Sequence, residues 1–259
     1  PAIAFSETSG CNTVVLAGSD DLDATIRSLA TTMCLFSAQM CTSPQNLYLP
    51  PVIDTPQGPV SRGDVAAKLA GAIAALTADP RRAGMILAAV QSPQTLALID
   101  WVHGQAVERG RVLLQSRPYA HPEYPDARTA TPLLVQVGKD ARDLYAEERF
   151  GPIGFVIDCD SAEDALSQAT TDARENGGIT GFVYARDDAF IAHAESLFAR
   201  AGAQLTINLT GAMPLNFAAA YSDYHVTGLN GAGNAALTTL AFVAPRFAVA
   251  QSRRPKGAP

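Results

Sequence analysis

The sequence predicts an α/β fold, a mostly parallel sheet covered by helices. Short apolar runs rich in β-branched residues recur along the chain, and segments with an apolar face at helical spacing separate them. Strands that alternate with helices in this way pair in parallel, because each helix carries the chain back across the sheet. No unit repeats at a fixed period, which argues against a solenoid.

Residues 13–17 (TVVLA) form the first buried-strand run. Asp20 or Asp21 can cap the helix that follows, and acids suit that end of the helix dipole. Leu22, Ile26, Leu29, Met33 and Phe36 recur at spacings of three and four, giving one apolar face. This helix is expected to stop near Ser37. The next strand is read at 47–49, closed by Pro50-Pro51. An Ala-rich amphipathic helix is expected over 61–76, ending before Pro80, and another over 91–109 with Gly110 as its stop. Strands follow at 111–114, 132–137 and 153–158, with a proline-rich surface loop over 119–128. Ser161 caps a helix to about Glu175, with Glu163 and Asp164 in its first turn. A strand at 180–184, a helix at 187–201 and a strand at 205–209 complete the pattern. Residues 240–250 are extended with no helix after them, so they pair either at a sheet edge or with another subunit.

The bulk numbers exclude several classes. In 259 residues with 47% hydrophobic content there is enough apolar material for a sizeable core. The net charge of −6 and the lack of any basic run before Arg253-Arg254-Pro255-Lys256 argue against nucleic acid as a partner. No apolar run approaches the roughly 20 residues that span a bilayer, so no membrane is expected. Four cysteines are too sparse for a disulfide framework, and four scattered histidines suggest no metal site. No basic and apolar leader opens the sequence, which reads as cytoplasmic. Asn208-Leu209-Thr210 matches the glycosylation sequon but is taken as chance.

Cys41 stands in Ala38-Gln39-Met40-Cys41-Thr42-Ser43-Pro44, in the connection between a helix and a strand. A thiolate nucleophile needs partial exposure and nearby backbone donors, and such a connection can supply both. Cys34 and Cys159 read as packing. Releasing an acyl group from a thiol needs a base for water. No histidine is near Cys41, which leaves carboxylates such as Glu7, the one acid in the first nineteen residues. Glu147-Glu148-Arg149-Phe150-Gly151-Pro152 precedes a strand. Gly228-x-x-Gly231-x-Gly233 has the wrong order for a dinucleotide fingerprint and is read as a turn. Taken singly, each of these features is better explained structurally than catalytically.

In order and spacing, however, the set resembles the aldehyde dehydrogenase family. Glu7-Thr8-Ser9-Gly10-Cys11 sits where the family has Glu-Leu-Gly-Gly-Lys. Ala38-Gln39-Met40-Cys41 is similar to Gly-Gln-x-Cys, and Glu147 to Pro152 resembles Glu-Glu-x-Phe-Gly-Pro. The Gly-Gly-Lys is lost, the motif glycine is Ala38, and Asn216-Phe217-Ala218-Ala219 replaces Pro-Phe-Gly-Gly. The stretches 39–46 and 219–228 are similar to the phenylacetic-acid-degradation group of the family (the PaaN type). The resemblance implies that Cys41 attacks an aldehyde and that Glu7 activates water against the thioester. It implies that Glu148 contacts the nicotinamide ribose of NAD or NADP and that Phe150 packs near the ring. It also implies a catalytic domain over 1–239 and an oligomerisation strand and tail over 240–259. The partners implied are an aldehyde and a homo-oligomer, dimer or tetramer, with most of the cofactor held by a domain outside this chain. Two other readings stay open: an assembly module of the same fold without turnover, and a thiol esterase that needs no cofactor.

Overall fold

The computed structural model describes residues 10–211 and 252–255. The expected base Glu7, the expected strand at 240–250 and the glycine-rich 228–233 segment lie outside them.

The sheet is built around β1 (Asn12–Leu16), and its central strands alternate their side chains between two cores. β2 is Pro44–Leu49, β7 is Ile153–Asp158 and β8 is Thr180–Tyr184. Val14 and Leu16 of β1, Leu47 and Leu49 of β2, and Phe182 and Tyr184 of β8 face one core. That core is completed by α1 (Leu22–Cys34), α2 (Arg62–Thr77) and α3 (Pro80–Ile86). Val15, Tyr48 and Val183 face the other, under α4 (Pro93–Arg109), α5 (Arg142–Tyr145), α6 (Ala162–Glu175) and α7 (Asp188–Ala201). Adding β5 (Gly110–Leu114), β6 (Leu133–Gly138), β9 (Gln204–Ile207) and β10 (Ser252–Arg253), the order is β10-β9-β8-β1-β2-β7-β6-β5. Every neighbouring pair is parallel except β5 with β6. The α/β reading therefore holds. A small antiparallel hairpin of β3 (Val52–Ile53) and β4 (Val60–Ser61) stands apart from the sheet.

Local chemistry explains both the agreements and the differences. Asp21, Ser61, Ser92, Ser161 and Asp187 each accept a backbone N–H at the start of a helix, as short polar caps should. The expected helix stop at Ser37 comes three residues early. Leu35 leaves helical geometry, and Phe36 turns to φ 53° and stands half exposed instead of extending the apolar face. Pro80, read as a terminator, opens α3, where its missing N–H costs nothing and Asp79 caps the next two amides. β2 begins three residues earlier than expected because its polar start, Pro44-Gln45-Asn46, is buried. β9 ends at Ile207, since Asn208 adopts φ 51° and its amide bonds both the N–H and the carbonyl of Ala185. That contact gives the chance sequon a structural role.

Candidate active site

Three adjacent strands explain how distant motifs meet. Gly10 precedes β1, Cys41 precedes β2, and Glu148 and Phe150 precede β7. β1, β2 and β7 are parallel neighbours, so their amino ends lie side by side. Open α/β sheets usually bind ligands at the carboxyl ends of their strands; this cluster lies at the other end.

Cys41 is part exposed, whereas Cys11, Cys34 and Cys159 are buried. Burial pushes the thiols of Cys34 and Cys159 up to about 12 and that of Cys11 higher still, which keeps all three protonated. The turn before Cys41 is strained: Phe36, Ser37 and Ala38 take φ values of 53°, 56° and 50°. The left-handed region costs an L-residue about 1–2 kcal/mol. External bonds hold the turn there. Ser37 Oγ donates to the Ala88 carbonyl at 2.8 Å, Gln39 Nε2 donates to Ala89 at 3.0 Å, and Gln39 Oε1 accepts from Gln91 N at 2.9 Å. Strain of this kind persists only where the surroundings over-determine it.

Downstream of the cysteine, Ser43 N donates to the Met40 carbonyl at 3.0 Å and closes the turn. Asn12, buried at the start of β1, donates to the carbonyls of Cys41 and Ser43. Gly10 is small because the chains touch: a Cβ there would lie 2.8 Å from the Cys41 carbonyl oxygen. The Gly10 N–H in turn supports the Glu148 carboxylate. Burial pushes that carboxyl above the usual glutamate range, and the Gly10 hydrogen bond partly offsets the rise. Gly151 holds φ 141° in the Gly-Pro turn, where a Cβ would meet the Thr95 side chain at 2.6 Å.

A narrow cleft is lined by Ala38, Met40, Ser43, Gln45, Glu148 and Phe150. The structure thus gathers Glu148, Phe150 and the immediate neighbours of Cys41. A roomier cavity of about 260 Å³, between α4 and residues 115–130, shares no lining residue with this cleft. Its Ser116 hydroxyl is committed to the Thr131 carbonyl.

The profile of the aldehyde dehydrogenase family matches residues 3–214. The chain belongs to the aldehyde dehydrogenase family. A solved NAD-dependent aldehyde dehydrogenase from Burkholderia multivorans is 43% identical, with a TM-score of 0.83 over 95% of this chain. The match covers 43% of that enzyme, so this aldehyde dehydrogenase chain spans less than half its length. An NADP-dependent glyceraldehyde-3-phosphate dehydrogenase from Bacillus halodurans C-125 matches at 18% identity and TM-score 0.59, over 79% of this chain and 39% of its own. Gamma-glutamyl-gamma-aminobutyraldehyde dehydrogenase from Burkholderia cenocepacia J2315 matches at 20% and 0.61, over 81% and 40%. The last two likenesses speak for the fold. No curated protein matches the chain. Among the described residues no helix is long and apolar enough to cross a membrane.

Sequence reasoning missed Gly10, Asn12 and Gln45. The one available sign was polar side chains opening strands that are otherwise apolar. Buried amides survive only with partners, so Asn12 and Gln45-Asn46 had to be holding something.

Proposed function

We propose that the chain is the catalytic portion of an NAD(P)-dependent aldehyde dehydrogenase, oxidising an aldehyde to its carboxylic acid through a thioester on Cys41. One observation carries the reading: a part-exposed cysteine on a braced turn adjoins a cleft holding a part-buried carboxylate and an exposed aromatic ring. The 43% identity to an NAD-dependent enzyme supports NAD as the first dinucleotide to test. The resemblance of 39–46 and 219–228 to the phenylacetic-acid-degradation group favours an aromatic aldehyde. A cytoplasmic homo-oligomer, dimer or tetramer, completes the proposal.

The Cys41 thiolate forms a C–S bond to the aldehyde carbon, and the oxygen becomes an alkoxide that the Cys41 backbone N–H can hold. Two residues of the cleft suit the nicotinamide-riboside end of a dinucleotide: Glu148 would offer acceptor oxygens to ribose hydroxyls, and Phe150, 39% exposed, would pack beside the ring. When bound, the dinucleotide supplies the acceptor for the hydride that turns the thiohemiacetal into a thioester. Glu7 then takes a proton from the water that attacks the thioester carbon. The C–S bond breaks, the acid leaves and the thiol is restored.

The test is Glu7→Gln in the full-length polypeptide, with aldehyde and NAD. A burst of reduced cofactor followed by turnover about 10²–10⁴-fold slower, with an acyl adduct on Cys41 by mass spectrometry, supports the proposal. Ester hydrolysis with no dinucleotide requirement overturns it in favour of a thiol esterase. Lack of any adduct or turnover in the unsubstituted protein leaves an assembly module.

A further inference from the structure

We infer that Gln45 is a positioning residue that fixes Glu148 relative to Cys41. The inference rests on the function proposed above, which gives those two side chains their roles. Gln45 is buried, four residues after Cys41 in β2. Its Nε2 donates to the Tyr145 carbonyl at 2.9 Å and to the Glu147 carbonyl at 3.1 Å, and also lies 3.0 Å from Asn46 Oδ1. Its Oε1 accepts from Arg149 N at 2.5 Å. One side chain therefore grips the backbone on both sides of Glu148.

The rest of the segment is held by the residue after Glu148. Arg149 Nε donates to Leu144 at 2.8 Å and Nη2 to Asp143 at 2.6 Å, and its guanidinium lies 5.3 Å from the Trp101 ring centre. The Glu148 carboxylate has the Gly10 N–H as its support. A part-buried carboxylate gains solvation by swinging outward, so the backbone either side must be fixed if it is to stay facing the cleft. Gln45 does this from the strand that carries the nucleophile. Cys41 and Glu148 are thereby linked through the short braced turn 41–43 and the first two residues of β2.

Trp101 is the single tryptophan of the sequence and lies against Arg149, so its emission reports on this segment. Gln45→Glu keeps an acceptor for Arg149 N but loses both donors. Gln45→Asn keeps the amide and withdraws it by one methylene, and it serves if the first variant fails to fold. We expect either variant to shift Trp101 emission, speed amide exchange over 146–150 and weaken NAD binding about tenfold, the scale of one lost hydrogen bond. Alkylation of Cys41 should change by less than about twofold, because Gln45 does not touch its turn. Unchanged emission and unchanged affinity in a folded variant overturn the inference. So does a parallel fall in Cys41 reactivity, affinity and melting temperature, which would make Gln45 a general support of the fold. These variants are made in the full-length polypeptide; if the unsubstituted full-length protein binds no dinucleotide yet the Trp101 shift appears, the proposed function falls while the hold of Gln45 on Glu148 stands.

Discussion

The side-chain amide of Asn12 donates to the carbonyl oxygen of Cys41 at 2.7 Å. The same nitrogen reaches the Ser43 carbonyl at 3.0 Å, and Oδ1 accepts from Ile179 N and Thr180 N at 3.1 and 3.0 Å. An amide has two donors and two lone pairs, and Asn12 uses all four. A single buried residue thus ties the cysteine turn and the start of β8 to β1.

Asn12→Ala should therefore be costly. It strands two carbonyls and two N–H groups, and one orphaned buried group costs about 1–3 kcal/mol. With partial relaxation we expect a loss of at least about 2 kcal/mol, read as a lower urea midpoint. Asn12→Asp keeps the acceptor side but turns an oxygen toward the Cys41 and Ser43 carbonyls. It should slow alkylation of Cys41 even where the protein stays folded. An unchanged midpoint for Asn12→Ala would show that the amide is not under load.

Cys41 should be the most reactive of the four thiols. The other three are buried, and their raised pKa values leave negligible thiolate at neutral pH. Brief iodoacetamide treatment of the folded protein, followed by peptide mapping, should find Cys41 modified first. Earlier labelling of Cys34 or Cys159 would remove the basis for a Cys41 nucleophile.

How far the sequence carried this reading depends on the kind of residue. Strands such as 153–158 and 180–184 and the helix at 162–175 were legible because periodicity and caps are local. Cys41, Glu148 and Phe150 were legible only through their motifs. Their convergence needs β1, β2 and β7 to be adjacent, which is not written in any one segment. Asn12 and Gln45 were illegible because a buried amide's value lies in partners more than 25 residues away in sequence. α3 was lost because Pro80 signals either end of a helix, and only its Asp79 cap decides which.

Ala38 stands where family members carry glycine, at φ 50°. Glycine reaches that region freely, while alanine pays about 1–2 kcal/mol. Glycine also costs more entropy on folding, about 0.5–1 kcal/mol. The balance favours Ala38→Gly, and we expect a gain of about 0.5–1 kcal/mol in thermal unfolding. A lower melting temperature would mean that the Ala38 methyl, buried beside the cleft, contributes more packing than its backbone costs.

Glu148 gives the pH-dependent prediction. Burial raises its carboxyl above the usual value, and the Gly10 N–H only partly offsets this. A raised acid binds its proton more tightly in the folded state than in the unfolded one. Its stabilising contribution is therefore complete below the ordinary glutamate pKa, near 4.3, and is lost as pH rises through the raised folded value. Glu148→Gln is uncharged throughout and keeps an acceptor oxygen for Gly10. Its melting temperature should match the parent's near pH 4 and exceed it at pH 7, with the gap opening between the two. The same substitution should weaken NAD binding, because a neutral amide is a poorer acceptor for ribose hydroxyls than a carboxylate. Higher stability together with lower affinity would be the expected trade at a site that holds a charge against its preference for water. A melting difference that is constant across this pH range would show that Glu148 is solvated in the folded protein, and the proposed ribose contact would lose its physical basis.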